Sequence, residues 1–205
     1  MCPGAALTKV QEVLSIMRLT QLLLPLCASA AIFTAGLTLP AGPALAASEM
    51  EELAAGLTTS GFSQRVEQLL KNGRAAQAVE LADIGIRKNP RNAQLQFLRT
   101  VALESLGRTE DAAKGLKSLI AAFPEIPEPY NNLAVIEAGY GNLEEALGLL
   151  KQALLINPKF ALAEKNMGDV YLALALEKYE SAAPQLSGNA ELQTRLKALR
   201  RLTAR

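Results

Sequence analysis

Three columns of residues recur along this chain at an interval of 34. Gly73, Gly107 and Gly141 form the first, Ala78, Ala112 and Ala146 the second, and Pro90, Pro124 and Pro158 the third. A fixed period of this size marks a stack of like supersecondary units, each burying its apolar face only against its neighbours. The residue types say what the unit is. Gly supplies the left-handed residue that ends one helix before the chain reverses. Five residues later, Ala keeps a helix–helix contact close. Pro ends the second helix, because it has no N–H to donate and collides with the preceding turn. Between Gly141 and Pro158 the apolar residues Leu143, Ala146, Leu147, Leu150, Ala153 and Leu154 follow the i, i+3, i+4 spacing of an amphipathic helix. Each unit is predicted to be helix–turn–helix, and the fold an all-α solenoid. Composition agrees: half the residues are apolar, yet there are only 5 Phe, 4 Tyr and no Trp, and sparse aromatic residues disfavour sheet.

On these residues the chain resembles the tetratricopeptide repeat (TPR) family, in an exported bacterial form. The clearest copy spans 127–160, with Tyr130, Leu133, Gly141, Ala146, Ala153 and Pro158 at the family's signature places. Copies at 59–92 and 93–126 keep Gly, Ala and Pro. They depart at Gln96 for an aromatic, at Arg65 and Arg99 for Leu, and at Gly85 for the second Ala, a change that costs about 1 kcal/mol of helix propensity. A fourth copy is degenerate and spans 161–186. It opens well at Asn166-Met167-Gly168-Asp169-Val170-Tyr171, but the residues of its turn are missing. Nothing from Leu172 to Ala183 breaks a helix, so one long helix or a very tight bend is expected, ended by Pro184. Asn189 then caps a last helix in 187–205, whose Leu192, Leu196 and Leu199 share one face and would close the stack. This shortened C-terminal third also resembles the TPR segment of exported proteins named as L,D-transpeptidase-like.

The N-terminal 46 residues have a different texture. Residues 19–48 carry no charge. Met17-Arg18 precedes a Leu-rich run, which gives way to Pro40, Gly42, Pro43 and the triplet Ala44-Leu45-Ala46. A positive start, an apolar middle and a small-x-small ending describe a signal peptide cut after Ala46, leaving a linker over 47–58. Retention as an N-terminal membrane anchor is the alternative. Either route places the rest in the periplasm or outside the cell, with translation expected to start at Met17. The residue before Cys27 is Leu26, which does not fit a lipid-attachment site.

Cleavage would carry both cysteines, Cys2 and Cys27, away. The 159 residues left would hold 19 basic and 19 acidic side chains, and neither Cys nor His. Disulfides, thiol nucleophiles, Ser-His-Asp triads and the usual zinc ligands are then unavailable, and no cofactor or metal site is expected. The catalytic cysteine of the transpeptidase-like family has no counterpart, and no Ser-x-x-Lys pair is present. The pairs Glu110-Asp111 and Glu144-Glu145 fall in first turns of predicted helices, where negative charge suits the helix dipole. A neutral balance gives no basic surface for nucleic acid. These features point away from an enzyme and toward a protein partner.

The TPR resemblance implies a concave surface built from the first helix of each repeat. Its groove-facing places fall here on Ser63, Glu67 and Leu70; Phe97, Val101 and Glu104; Asn131, Val135 and Ala138; and Lys165, Asp169 and Leu172. The candidate partner-binding residues are Glu67, Phe97, Val101, Glu104, Asn131, Val135, Lys165 and Asp169. Together they form an apolar middle with charged ends, suited to an extended segment or a helix of another protein. Packing within the repeats is the competing role for Phe97 and Val101, and Asn132 and Asn166 read as scaffolding between helices. The carboxylate clamp of chaperone-binding TPR proteins is approached only by Asn131, Asn132 and Lys165. The function implied is that of a scaffold or adaptor in the cell envelope. Alternatives are an accessory domain of a cell-wall enzyme system and a periplasmic holdase. Membrane contact is expected through the leader, with the basic tail of Arg195, Lys197, Arg200, Arg201 and Arg205 as a second route.

Overall fold

A computed structural model describes residues 50–203. The predicted leader, its cleavage site and both cysteines lie outside the described residues. After a short helical stretch at 50–55, eight helices follow: α1 (Thr59–Lys71), α2 (Ala75–Lys88), α3 (Ala93–Ser105), α4 (Thr109–Ala122), α5 (Pro127–Gly139), α6 (Leu143–Ile156), α7 (Ala161–Ala182) and α8 (Ala190–Thr203). No strand occurs among the described residues, as the all-α reading requires. The chain divides into two compact units after Phe123, and each is built by the same local rules.

The Gly column makes the turns. Gly73, Gly107 and Gly141 have φ of 71°, 73° and 84°, and no other described residue has positive φ. Each sits in the same backbone motif. Arg74 N donates to Leu69 O at 2.8 Å and Gly73 N to Leu70 O at 3.0 Å; Arg108 and Gly107 repeat this on Leu103 and Glu104, and Asn142 and Gly141 on Glu137 and Ala138. These paired bonds satisfy the last carbonyls of the first helix and require a left-handed residue between them. Gly107→Ala is therefore expected to destabilise its unit by about 1 kcal/mol or slightly more, from the left-handed strain on a Cβ. Urea titration of the variant measures it, and an unchanged midpoint would contradict the assignment. The Pro column stands two residues beyond α2, α4 and α6, and the three column alanines are wholly buried.

In the first unit, α1 pairs with α2 and α3 with α4, while α3 also packs on α2 and α1. Phe62, Val66, Leu81, Leu95, Leu103, Leu116 and Leu119 fill its core. Thr58 and Asn92 cap α1 and α3, accepting from Gly61 N at 3.2 Å and Leu95 N at 3.0 Å. The departures from the TPR pattern have local partners. Arg99, standing where Leu is usual, donates through Nε to Asp83 on α2. Gly85 is buried, and a Cβ there would lie 2.5 Å from Leu95 Cδ2 and 2.7 Å from Phe62 Cδ1.

In the second unit, α5 and α6 pair closely around Ala134, Leu143, Ala146, Leu147, Leu150 and Ala153, and α7 packs on both through Ala163 and Val170. The fourth repeat has no turn: α7 runs unbroken for 22 residues. The next place on the Gly column is Ala175, a strong helix former that does not favour the left-handed turn. The helix ends at Ala182, just before Pro184. Asn189 Oδ1 accepts from Leu192 N at 2.9 Å and caps α8. That helix buries Leu192 and Leu196 and is tied to the last turns of α7. Arg195 Nη1 donates to Tyr179 Oη at 2.9 Å, and Arg200 grips Glu180 through two bonds of 2.9 and 3.0 Å. The expected terminal cap is partial. These ties fall near the end of α7, while Tyr171 and Leu172, about two turns earlier, stay 47% and 37% exposed.

Candidate protein-binding site

The candidate groove residues lie on first helices in both units, and each unit presents its own set. In the first, α1 and α3 lie side by side, bridged by a bond from Gln94 Nε2 to Glu67 Oε1 at 3.0 Å. Glu67, Phe97, Val101 and Glu104 are all half-buried, so each offers surface without standing clear of the fold. The Gln94 amide is neutral, so this bond leaves the negative charge of Glu67 uncancelled. Ser63, the earlier groove position on α1, is buried. The sequence pattern missed Gln94, since a polar residue in the first turn of a helix gives no periodic signal. Its role appears only once α1 and α3 are adjacent.

In the second unit the set splits. Asn131 is buried at 2% exposure and does not face a groove. The reason is its partner: Asn166 Nδ2 on α7 donates to Asn131 Oδ1 at 2.8 Å, and Asn131 Nδ2 donates to Asn132 Oδ1 at 3.1 Å. This amide chain joins α5 to α7 inside the unit, so Asn131 acts with Asn132 and Asn166 as scaffolding. Ala138 is buried too. Val135 is half-buried. Lys165 and Asp169 form an exposed pair on α7, Nζ to Oδ2 2.6 Å. They share a helix face with Leu172 and with Leu162, which is 50% exposed and lay outside the expected set.

The acidic pairs sit in first turns of α4 and α6. Asp111 receives Arg108 through Nε at 2.9 Å and Nη2 at 2.6 Å. That guanidinium, with Lys114 and Arg99 farther off, holds the Asp111 carboxyl below its ordinary range. Glu144 and Glu145 border an open depression of about 380 Å³ whose other walls include Leu174, Glu177 and Lys178. The Lys178 ammonium is held above its ordinary range, chiefly by its bond to Glu177. No group of acidic, His or Cys side chains suited to a metal ion occurs among the described residues, and no described helix is long and apolar enough to cross a membrane.

The repeat geometry is matched by known proteins. The tetratricopeptide repeat family model matches residues 64–125 and again 102–161. Together these matches cover residues 64–161, a little under half of the chain. No curated protein matches the sequence. Among solved structures, this chain resembles the first TPR domain of human RPAP3, with 19% identity and a TM-score of 0.55 over 58% of this chain and 94% of that one. A thermophilic TPR protein of Thermus thermophilus, TTC0263, matches at 25% identity and a TM-score of 0.53, covering 69% of this chain and 81% of its own. The first TPR of Spaghetti (RPAP3), solved with the HSP90 peptide SRMEEVD, is 20% identical with a TM-score of 0.53, over 57% of this chain and 93% of that one. At these identities the likeness to the RPAP3 domains is one of fold.

Proposed function

We propose that this protein is a non-enzymatic adaptor of the bacterial cell envelope, and that it holds a segment of another protein against the α1–α3 face. The observation that carries the reading is the placing of Phe97 and Val101 between Glu67 and Glu104 on adjacent first helices. Half-exposed apolar side chains on a rigid helical platform, with charge at the rim, are what a docked helix or extended segment uses. The charge of Glu67, whose bond is to a neutral amide, favours a partner segment with a basic residue beside its apolar part. An acidic peptide such as SRMEEVD would meet like charge at Glu67. Envelope location rests on the leader over 1–46, which has the order of a signal peptide.

Phe97→Ala and Val101→Glu test the platform. Co-purification from the envelope fraction is expected to recover one stoichiometric partner with the parent chain. Either variant should weaken its capture about tenfold or more, as loss of a central apolar anchor does. Recovery of that partner at parental levels from variants with intact helicity would overturn the site. Recovery of many unfolded clients in place of one partner would overturn the adaptor reading.

A further inference from the structure

The exposed face of α7 has an order that its neighbours in the fold do not use. Leu162, Lys165, Asp169 and Leu172 fall at intervals of three, four and three residues, one strip of a helix with 3.6 residues per turn. All four are exposed: Leu162 by 50%, Leu172 by 37%, and the side chains of Lys165 and Asp169 by 61% and 43%. The strip reads apolar, positive, negative, apolar. It is palindromic about the level of residue 167, with Leu162 and Leu172 each five residues from that level and Lys165 and Asp169 each two. Nothing lies within 4 Å of where a Cβ on Gly168 would stand, so the helix surface beside the centre is flat.

We infer that this strip of α7 is a homodimer contact, in which two copies of the chain pair their α7 helices antiparallel about a two-fold axis at the level of residue 167. A two-fold contact is made by one patch meeting itself, so residue i opposes j and j opposes i. Turning α7 over about that level sets Leu162 against Leu172 of the partner subunit. It also sets Lys165 against Asp169 of the partner subunit, and each pairing occurs twice. A parallel or shifted pairing would oppose like charges or leave the leucines unmatched. The Lys165–Asp169 bond within one helix does not prevent this, because the ammonium has three donors and the carboxylate about four acceptor sites. This contact uses neither Phe97 nor Val101, and so stands whether or not the α1–α3 face binds a partner. The patch is small beside a standard interface of about 800 Å² per partner, so the dimer belongs to the weak class, with a Kd of roughly 10–100 μM.

Charge reversal tests the pairing in a way that intrahelical effects cannot imitate. In sedimentation velocity of the full chain, Lys165→Glu opposes Glu to Asp169 of the partner subunit at both ends of the contact. Asp169→Lys opposes Lys to Lys. Each variant alone is expected to dimerise at least about tenfold more weakly than the parent. Mixed in equal amounts, the two should recover a heterodimer, because every cross-pair is again opposite in sign. Leu172→Glu should abolish association in any mixture. Circular dichroism of each variant, unchanged from the parent, keeps misfolding separate from loss of contact. A parent that stays monomeric to about 500 μM, well above the expected Kd, would overturn the inference. Association indifferent to both reversals would do the same, since that is how the apolar leader would associate. Failure of the mixed reversals to pair would also overturn it.

Discussion

Gly85→Ala is expected to destabilise the first unit by about 1–3 kcal/mol, although the same change in an exposed helix would stabilise it by about 1 kcal/mol. The two expectations have opposite signs, and the surroundings of Gly85 decide between them. Gly85 lies near the end of α2, facing Phe62 on α1 and Leu95 on α3. A methyl group there would come within 2.5 Å of Leu95 Cδ2 and 2.7 Å of the Phe62 ring. Leu95 and Phe62 are only 1% and 3% exposed, so neither side chain has free space to move into. A packed interior yields little to an added methyl, which leaves rotamer strain or a shift of α3 as the only relief. The cost should be visible as a lower urea midpoint with unchanged slope. Combining it with Phe62→Leu supplies an internal control. If the ring is the obstacle, the double variant should be less destabilised than the sum of the two singles. Additive losses, or a stabilised Gly85→Ala protein, would show that α2 is free to move away from α1.

Gly85 also shows where reading the sequence stops. The columns of Gly, Ala and Pro were legible because each does one backbone or packing task that few residues can do, and the task recurs every 34 residues. They located the turns, the close helix contacts and the helix ends without any structure. The absence of a breaker between Leu172 and Ala183 was legible for the same reason, and α7 is a single helix. Side chains whose role depends on a residue in another repeat were not. Gly85 read as a propensity loss because Phe62 and Leu95 are 23 and 10 residues away in sequence. Asn131 read as a groove residue because its helical position faces that way in the family pattern. Its burial follows from Asn166, 35 residues on. Arg99 looked like a departure from Leu until Asp83 was beside it. Periodicity reports what every repeat shares, whereas these contacts are what distinguishes one repeat from the next.

Asn166→Leu carries that distinction into energy. The side chain of Asn166 is buried in the second unit and gives its amide hydrogen to Asn131 Oδ1 at 2.8 Å. Leu has the same branched heavy-atom framework as Asn, with bulkier methyl groups, but cannot donate, so the Asn131 carbonyl would be left in the interior without that bond. Water hydrates this oxygen in the unfolded chain, and the folded chain would lose that hydration without compensation. The expected loss is about 1–3 kcal/mol, read as a fall in the thermal midpoint of several degrees for a chain of this size. Asn131→Leu should cost a similar amount, since Asn166 Nδ2 would then be the orphan. Changing both to Leu removes the buried unmet donor and acceptor together and adds apolar contact between α5 and α7, while the half-buried Asn132, which loses the Asn131 amide, can turn to water. The double variant is therefore expected to lie near the parent, well above either single. Only a bonded, desolvated pair predicts that recovery. If the double variant were as unstable as the sum of the singles, the Asn131–Asn166 contact would have to be open to water, and α5 and α7 would be held together by their apolar residues alone.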